Sequence, residues 1–157
     1  MKAVYPGSFD PITLGHLDII ERASQIFDEL VIVIMENDEK SCLFTKEERA
    51  EMCRAATKHL DNVSVMVGSG LTVDFAESIG ASIMVRGIRA VTDYEYEMML
   101  ATANMTVKPA IHTVFLVSRP QYSFLSSSIA KTVAKNKGDL YAFVSDEVAE
   151  HLRAKYE

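Results

Sequence analysis

Lys2-Ala3-Val4-Tyr5-Pro6-Gly7-Ser8-Phe9-Asp10-Pro11-Ile12-Thr13-Leu14-Gly15-His16 joins a short apolar run, a turn rich in glycine and proline, and the opening of a helical pattern. The run Lys2–Tyr5 reads as a strand that stops at Pro6, which has no amide to donate. Beyond the turn, Leu17, Ile20, Ala23 and Phe27 recur on one face, so a helix is expected from about Gly15 to Phe27. Strand, turn and helix then repeat along the chain. Further strand candidates are Leu30–Met35, Val63–Val67, Ser82–Arg86 and Ile111–Val117. The second, fourth and fifth are nearly continuous apolar runs, as expected of parallel strands covered on both faces.

The intervening helices have readable ends. Thr45-Lys46-Glu47-Glu48 forms a capping box ahead of the apolar stripe Met52, Cys53, Ala56 and Leu60. A third helix, around Thr72–Ile79, stops at Gly80, where a left-handed cap costs little. A second capping box, Thr92-Asp93-Tyr94-Glu95, is expected to open a fourth helix running to about Val107. A fifth follows Ser126–Ser128 and ends near Gly138, and a last covers Asp146 to Tyr156. Strands alternating with helices in this way imply an α/β fold: a doubly wound five-stranded parallel sheet with right-handed crossovers. No linker or repeat divides it, so residues 1–157 are expected to form a single domain. The fourth helix carries Met98, Met99, Leu100, Ala101, Ala103 and Met105, with little polar surface on either side. It reads either as a deep core helix or as a face covered by a second copy of the chain, and the second reading is preferred.

With 157 residues, 48% of them hydrophobic and 24% charged, the chain can bury a core without disulfides or a structural metal. A net charge of −6 argues against a protein that wraps duplex nucleic acid. No stretch is long and apolar enough to cross a bilayer, and the start lacks the apolar core of a secretion signal. Cys42 and Cys53 match no metal or redox spacing, and His16, His59, His112 and His151 are scattered. A reduced, cytoplasmic protein without a zinc site is expected.

In open parallel sheets ligands bind beyond the carboxyl ends of the strands, where strand order reverses. The first strand ends in Gly7, Ser8 and, after the turn, His16; the second leads to Lys40. The fourth ends in Arg86-Gly87-Ile88-Arg89, and the fifth leads to Tyr122-Ser123-Phe124-Leu125-Ser126-Ser127-Ser128. Three cations, an imidazole and a hydroxyl cluster on one rim of an acidic protein call for a small polyanion. Gly7 and Gly15 permit close backbone approach, and the helix mouths near Gly15 and Ser126 offer unpaired amides to phosphate. In the first turn of a helix a standing positive charge is disfavoured, so His16 is expected to be neutral until an anion arrives. Arg86 and Arg89 supply planar forks, Lys40 a movable point charge.

Taken singly, Lys40 reads as a solvated lysine, Arg86 equally well as a cap on the sheet, and Ser126–Ser128 equally well as a helix N-cap. His59, His112 and His151 read as structural. Their coincidence on one rim is what points to a site. No nucleophile–base pair and no GxSxG elbow occurs, and phosphoryl transfer needs neither. Gly68-Ser69-Gly70-Leu71-Thr72-Val73 imitates part of a dinucleotide fingerprint, but Val73 stands where a small residue belongs. A P-loop is absent.

Tyr5-Pro6-Gly7-Ser8-Phe9-Asp10-Pro11 followed by Thr13-Leu14-Gly15-His16 resembles the (H/T)xGH signature of the nucleotidylyltransferase superfamily, whose fold is Rossmann-like. Arg86-Gly87-Ile88-Arg89-Ala90, Asp93-Tyr94-Glu95-Tyr96-Glu97-Met98 and Tyr122–Ser128 resemble blocks specific to the bacterial phosphopantetheine adenylyltransferases, and the similarity runs end to end. The resemblance implies adenylyl transfer from ATP to 4′-phosphopantetheine, giving dephospho-CoA and pyrophosphate, with Mg²⁺. It implies His16, Lys40 and Arg86 as catalytic residues, and Ser8, Lys40, Thr72, Arg86 and Asn104 as contacts to phosphopantetheine. It places ATP on Ser8, Phe9, His16, Gly87, Ile88, Arg89, Glu97, Tyr122, Ser123, Phe124, Leu125, Ser126, Ser127 and Ser128, and no metal ligand is named. A homohexamer, and coenzyme A as feedback ligand, are implied as well. The chain departs from the family pattern at Ser8, where Thr is commoner, at Leu14, where Asn is frequent, and at Ser41-Cys42, where Lys-Pro is common. The nearest alternatives are a nicotinate-mononucleotide adenylyltransferase, a glycerol-phosphate cytidylyltransferase, and a non-catalytic nucleotide sensor on the same fold.

Overall fold

The computed structural model describes residues 1–36 and 41–157. Five strands, β1 (Lys2–Gly7), β2 (Glu29–Met35), β3 (Val63–Gly68), β4 (Ile83–Ile88) and β5 (His112–Val117), alternate with α1 (Leu14–Ile26), α2 (Lys46–Thr57), α3 (Thr72–Ser78) and α4 (Val91–Val107). A 3₁₀ turn at Pro120–Tyr122 leads to α5 (Ser127–Lys135), and α6 (Asp146–Lys155) follows. All pairings are parallel and the strand order is β3-β2-β1-β4-β5. The doubly wound single domain expected from the sequence is therefore present.

Alternation along the central strands sorts the core into two layers. Ala3 and Tyr5 of β1, Leu30, Ile32 and Ile34 of β2 and Val85 of β4 pack with α1, α2, α5 and α6. Val4, Val31, Val33 and Met84 face the other way, onto Val73 and Ala76 of α3. Because β2 is buried on both faces, Leu30–Ile34 is apolar without a break. β5 differs from expectation. It is an edge of the sheet, its residues 113–116 are only half-buried and His112 and Val117 are exposed, so its apolar run does not report two covered faces.

Chain order reverses between β1 and β4, and there the sheet opens. β1 pairs with β2 from Lys2 to Gly7, but with β4 only through Ala3–Ile83 and Val4–Met84. The carboxyl ends of β1 and β4 thus part, leaving the crevice that such a switch point provides.

One helix start needs correction. The box at Thr92–Glu95 does not form: α4 begins earlier, with Ala90 as an N-cap that makes no side-chain bond. Asp93 then stands in the first turn, and its carboxylate accepts from the Arg89 amide instead. The boxes at Thr45–Glu48 and the left-handed stop at Gly80 are as expected. α4 is not a deep core helix either. Only Glu97 and Ala101 are buried, while Val91 (76% exposed), Met99 (68%), Tyr96 and Met105 face outward.

Candidate active site

The turn from β1 into α1 is built by steric necessity and hydrogen bonding. Phe9 takes a left-handed backbone (φ 49°), and its ring, 2% exposed, packs edge-on against Tyr5 at 5.4 Å and His16 at 5.0 Å. A Cβ on Gly7 would come to 3.0 Å from that ring, so packing favours glycine there. Gly15 lies inside the first turn of α1, where a Cβ would meet Leu125 and Thr13 only at ordinary contact, 3.5 Å. Its backbone freedom is not what the fold uses.

Asp10, 4% exposed, is fully engaged. Its carboxylate accepts from the amides of Leu43 and Phe44 and from the Lys131 ammonium, each at 2.9 Å. Burial pushes its pKa up, but the lysine and the two amides outweigh that and hold it below the usual carboxylate range. The Ser8 carbonyl accepts from Arg49 Nη1 at 2.8 Å, and the Ser127 hydroxyl donates to the Pro11 carbonyl at 2.8 Å. The turn is thereby tied to α2 and α5.

Thr13 caps α1, and the third helical residue completes a capping box with an imidazole in place of the usual Glu or Gln. The His16 amide donates to Thr13 Oγ1 at 3.3 Å, and the Thr13 amide donates to His16 Nδ1 at 3.0 Å. Since Nδ1 accepts, the proton of the neutral ring is on Nε2, the nitrogen left for the cavity. The pKa falls to about 4, first because the ring is buried and second because Arg89 and Arg86 repel a further positive charge. The expected neutral imidazole is found, but packing and the arginines cause it more than the helix dipole.

Arg86 forms a fork with Glu97, Nε to Oε2 at 2.8 Å and Nη2 to Oε1 at 2.6 Å, while Nη1 donates to the Pro6 carbonyl at 2.9 Å. Burial opposes its charge, and the Glu97 carboxylate overcomes this and raises its pKa. Arg89 is held by Asp93 and donates to the Leu125 carbonyl. Of the three serines, Ser126 is the N-cap, accepting from the Ile129 amide at 3.1 Å, and Ser127 is tied to Pro11. The Ser128 hydroxyl makes no bond among the described residues. Cap and ligand-facing hydroxyl, open alternatives in the sequence, are divided among neighbours.

These groups line one cavity of about 510 Å³ at the switch point. Ser8, Phe9, His16, Arg86, Gly87, Arg89, Glu97, Leu125 and Ser126–Ser128 are all on its wall. Ile88, Thr72, Asn104, Tyr122, Ser123 and Phe124 are not: Ile88 pairs with Val117, Asn104 reaches Met84 Sδ, and Phe124 packs on Phe143. Lys40 falls outside the described residues. Asp10, Thr13, Arg49, Asp93 and Lys131 were not named as site residues from the sequence. Lys131 could have been, since it stands three and four residues after Ser128 and Ser127, on the same helical face. Among the described residues the wall carries three cations, Arg86, Arg89 and Lys131, against three carboxylates, Glu97, Asp93 and Asp10. Among the described residues the charges on the wall therefore balance.

The sequence profile of the cytidylyltransferase-like family matches residues 4–133. The chain is 52% identical to the phosphopantetheine adenylyltransferase of Thermotoga neapolitana over 157 residues, 100% of this chain and 96% of the relative. It is 47% identical to that of Lachnoclostridium phytofermentans over 153 residues, 98% and 94% of the two chains. Among solved structures, a Vibrio parahaemolyticus protein assigned to the nicotinate-nucleotide adenylyltransferases superposes with a TM-score of 0.73, covering 99% of this chain and 95% of the other at 17% identity. That last likeness concerns the fold.

Proposed function

Because this chain belongs to the cytidylyltransferase-like family, and within it to the phosphopantetheine adenylyltransferases, we propose that it transfers the adenylyl group of ATP to 4′-phosphopantetheine. The products are dephospho-CoA and pyrophosphate, in the route to coenzyme A. A phosphate oxygen of the acceptor attacks the α-phosphorus in line, and the bond from that phosphorus to the β-phosphate bridging oxygen breaks. The attacking oxygen is already anionic, so no general base is required, and the described wall offers none paired with a nucleophile.

One observation carries the reading: a half-buried, neutral imidazole presents Nε2–H at the β1/β4 switch point, beside two arginines. There it donates to a nonbridging oxygen as charge builds on the α-phosphate, a donor already fixed in place by its bond to Thr13. As the phosphates bind, their charge raises the imidazole's proton affinity and strengthens that bond. Arg86 and Arg89 neutralise phosphate charge, Ser128 and the α5 amides hold further oxygens, and Ser8 lines the same cavity. Lys40, Thr72 and Asn104 keep their proposed contacts to the acceptor, and Tyr122–Phe124 theirs to ATP, on the resemblance alone.

Magnesium finds no resident site among the described residues. No group of three or more His, Cys, Asp or Glu side chains there could hold an ion, and the three wall carboxylates are each engaged by a cation. We assign Mg²⁺ to ATP, as the complex in which the nucleotide arrives, and derive no protein step through it.

The finer readings are likewise proposals. The exposed apolar residues of α4 support a homohexamer, which light scattering in solution tests. Coenzyme A, which is the product with one more phosphate, is the proposed feedback ligand. The free thiols Cys42 and Cys53 agree with a cytoplasmic setting; no helix among the described residues is long and apolar enough to cross a membrane. The substrate assignment is tested by pyrophosphate release from ATP: it should require 4′-phosphopantetheine. Release with nicotinate mononucleotide in its place would overturn the choice, and tight ATP binding without release would make the protein a sensor.

A further inference from the structure

Arg49 is 6% exposed, and among the described residues it forms no ion pair. The acids beside it in sequence are committed elsewhere: Glu47 is exposed, and Glu48 accepts from the Thr45 amide and pairs with Lys155. Arg49 is also the fourth residue of α2, close to a helix N-terminus, where positive charge is disfavoured. Burying a charge without a counter-ion is disfavoured more strongly still. The guanidinium holds backbone carbonyls instead, that of Thr45 at 3.3 Å from Nε and that of Ser8 at 2.8 Å from Nη1. The second contact sets a peptide plane. A peptide is planar and trans, so a carbonyl and the next residue's amide point in opposite directions. With the Ser8 carbonyl on Arg49, the Phe9 N–H is directed away from α2. Phe9 is on the cavity wall, whereas Arg49 lies behind it. Phe9 is 2% exposed and left-handed, and its amide makes no hydrogen bond among the described residues. Buried amides are rarely left so, and a left-handed backbone is costly outside glycine. Two disfavoured groups, a guanidinium without a carboxylate and an amide without an acceptor, thus meet at one peptide bond.

We propose that Arg49 is a positioning residue for the reaction: by holding the Ser8 carbonyl it turns the Phe9 N–H to the cavity, as a fixed donor to an oxygen of the nucleotide's phosphates. The assignment rests on the adenylyl-transfer reading for which nucleotide is bound. Arg49 touches no substrate. It acts through one peptide, and Arg86 supports the same turn from the other side of Gly7 by taking the Pro6 carbonyl at 2.9 Å. A bound anion then relieves both disfavoured groups together, since it accepts from the amide and lies on the far side of the same peptide dipole from the guanidinium.

The test is nuclear magnetic resonance of the full chain, labelled at the serine carbonyl carbon and the phenylalanine nitrogen. That labelling selects the peptides Ser8–Phe9 and Ser123–Phe124, and Phe124→Leu, at a half-exposed ring, identifies the second signal by removing it. Addition of ATP with magnesium should move the Phe9 amide proton downfield in the wild type. In Arg49→Met that shift should be lost, and the ATP dissociation constant from isothermal titration should rise about tenfold, the scale of one charge-assisted hydrogen bond. Arg49→Lys keeps a charge and a donor and should restore part of both. Met is unbranched and fills the same channel. If Arg49 only packs α2 onto the turn, Arg49→Met therefore keeps the wild-type shift and affinity, and the proposal fails. A Phe9 amide that ATP does not move in the wild type also overturns it, a result that stands even if thermal melts show Arg49→Met unfolded. Neither measurement needs turnover, so a chain that shows both effects yet transfers no adenylyl group sinks the reading of function and leaves the role of Arg49 intact.

Discussion

Replacing His16 by Gln separates the imidazole's charge behaviour from its role as a cap, because Gln at the third helical position completes a capping box in the ordinary way. In the folded protein the pKa of His16 is about 4, against 6.5 for the unperturbed side chain. The unfolded chain therefore binds a proton between these values that the native state refuses. Stability contributed by the neutral ring is fully present above pH 6.5 and is lost progressively as pH falls toward 4. At pH 5 the two pKa values correspond to about 2 kcal/mol, and partial access of water from the cavity reduces this to about 1–2 kcal/mol. Urea unfolding of both proteins at pH 7.5 and pH 5 measures it. The wild type should lose about 1–2 kcal/mol more than His16→Gln over that interval, and the carboxylates common to both cancel in the difference. Parallel losses would refute the half-buried, neutral imidazole and, with it, the assignment of the proton to Nε2.

Other perturbations probe the surroundings. Glu97→Gln keeps the shape of the fork with Arg86 but leaves that cation short of its partner. Since Arg86 is 25% exposed to the cavity, the loss of stability should be about 2 kcal/mol, below the 3–5 typical of fully buried pairs. Unfolding that is unchanged would mean the pair is idle. Gly7→Ala drives a methyl to 3.0 Å from the Phe9 ring, which is buried and cannot yield. A destabilisation of about 1–3 kcal/mol is expected, along with slower turnover because Phe9 rests on His16; a neutral melt and rate would contradict the packing account.

Strand and helix periodicity made the sheet legible, because β2 is buried on both faces and α1 and α2 each bury one stripe. It misled at β5, whose apolar residues look alike at an edge and in a centre. The capping pattern at Thr92–Glu95 was ambiguous for a local reason: Asp93 found a stronger partner in Arg89, and the helix started ahead of it. Within the site, Ser8, His16, Arg86, Arg89 and Ser126–Ser128 stood out through their company on one rim. Those that hold the rim together did not. Asp10, Arg49 and Lys131 act through contacts with residues 34, 41 and 121 positions away, and no local spacing encodes such distances. The charge balance of the cavity was invisible for the same reason, since each cation's partner lies on another turn or another helix.

The central claim is that His16 stabilises transferred charge in this cavity and does not serve to hold ATP. Its most direct measurement is the rate of pyrophosphate release by His16→Ala at saturating ATP and 4′-phosphopantetheine, beside the ATP dissociation constant of the same folded variant. The account predicts a rate lower by about 10²–10³, equivalent to about 3–4 kcal/mol of lost transition-state stabilisation, with ATP bound nearly as well as by the wild type. A near-normal rate, or a loss traced wholly to ATP affinity, would contradict it.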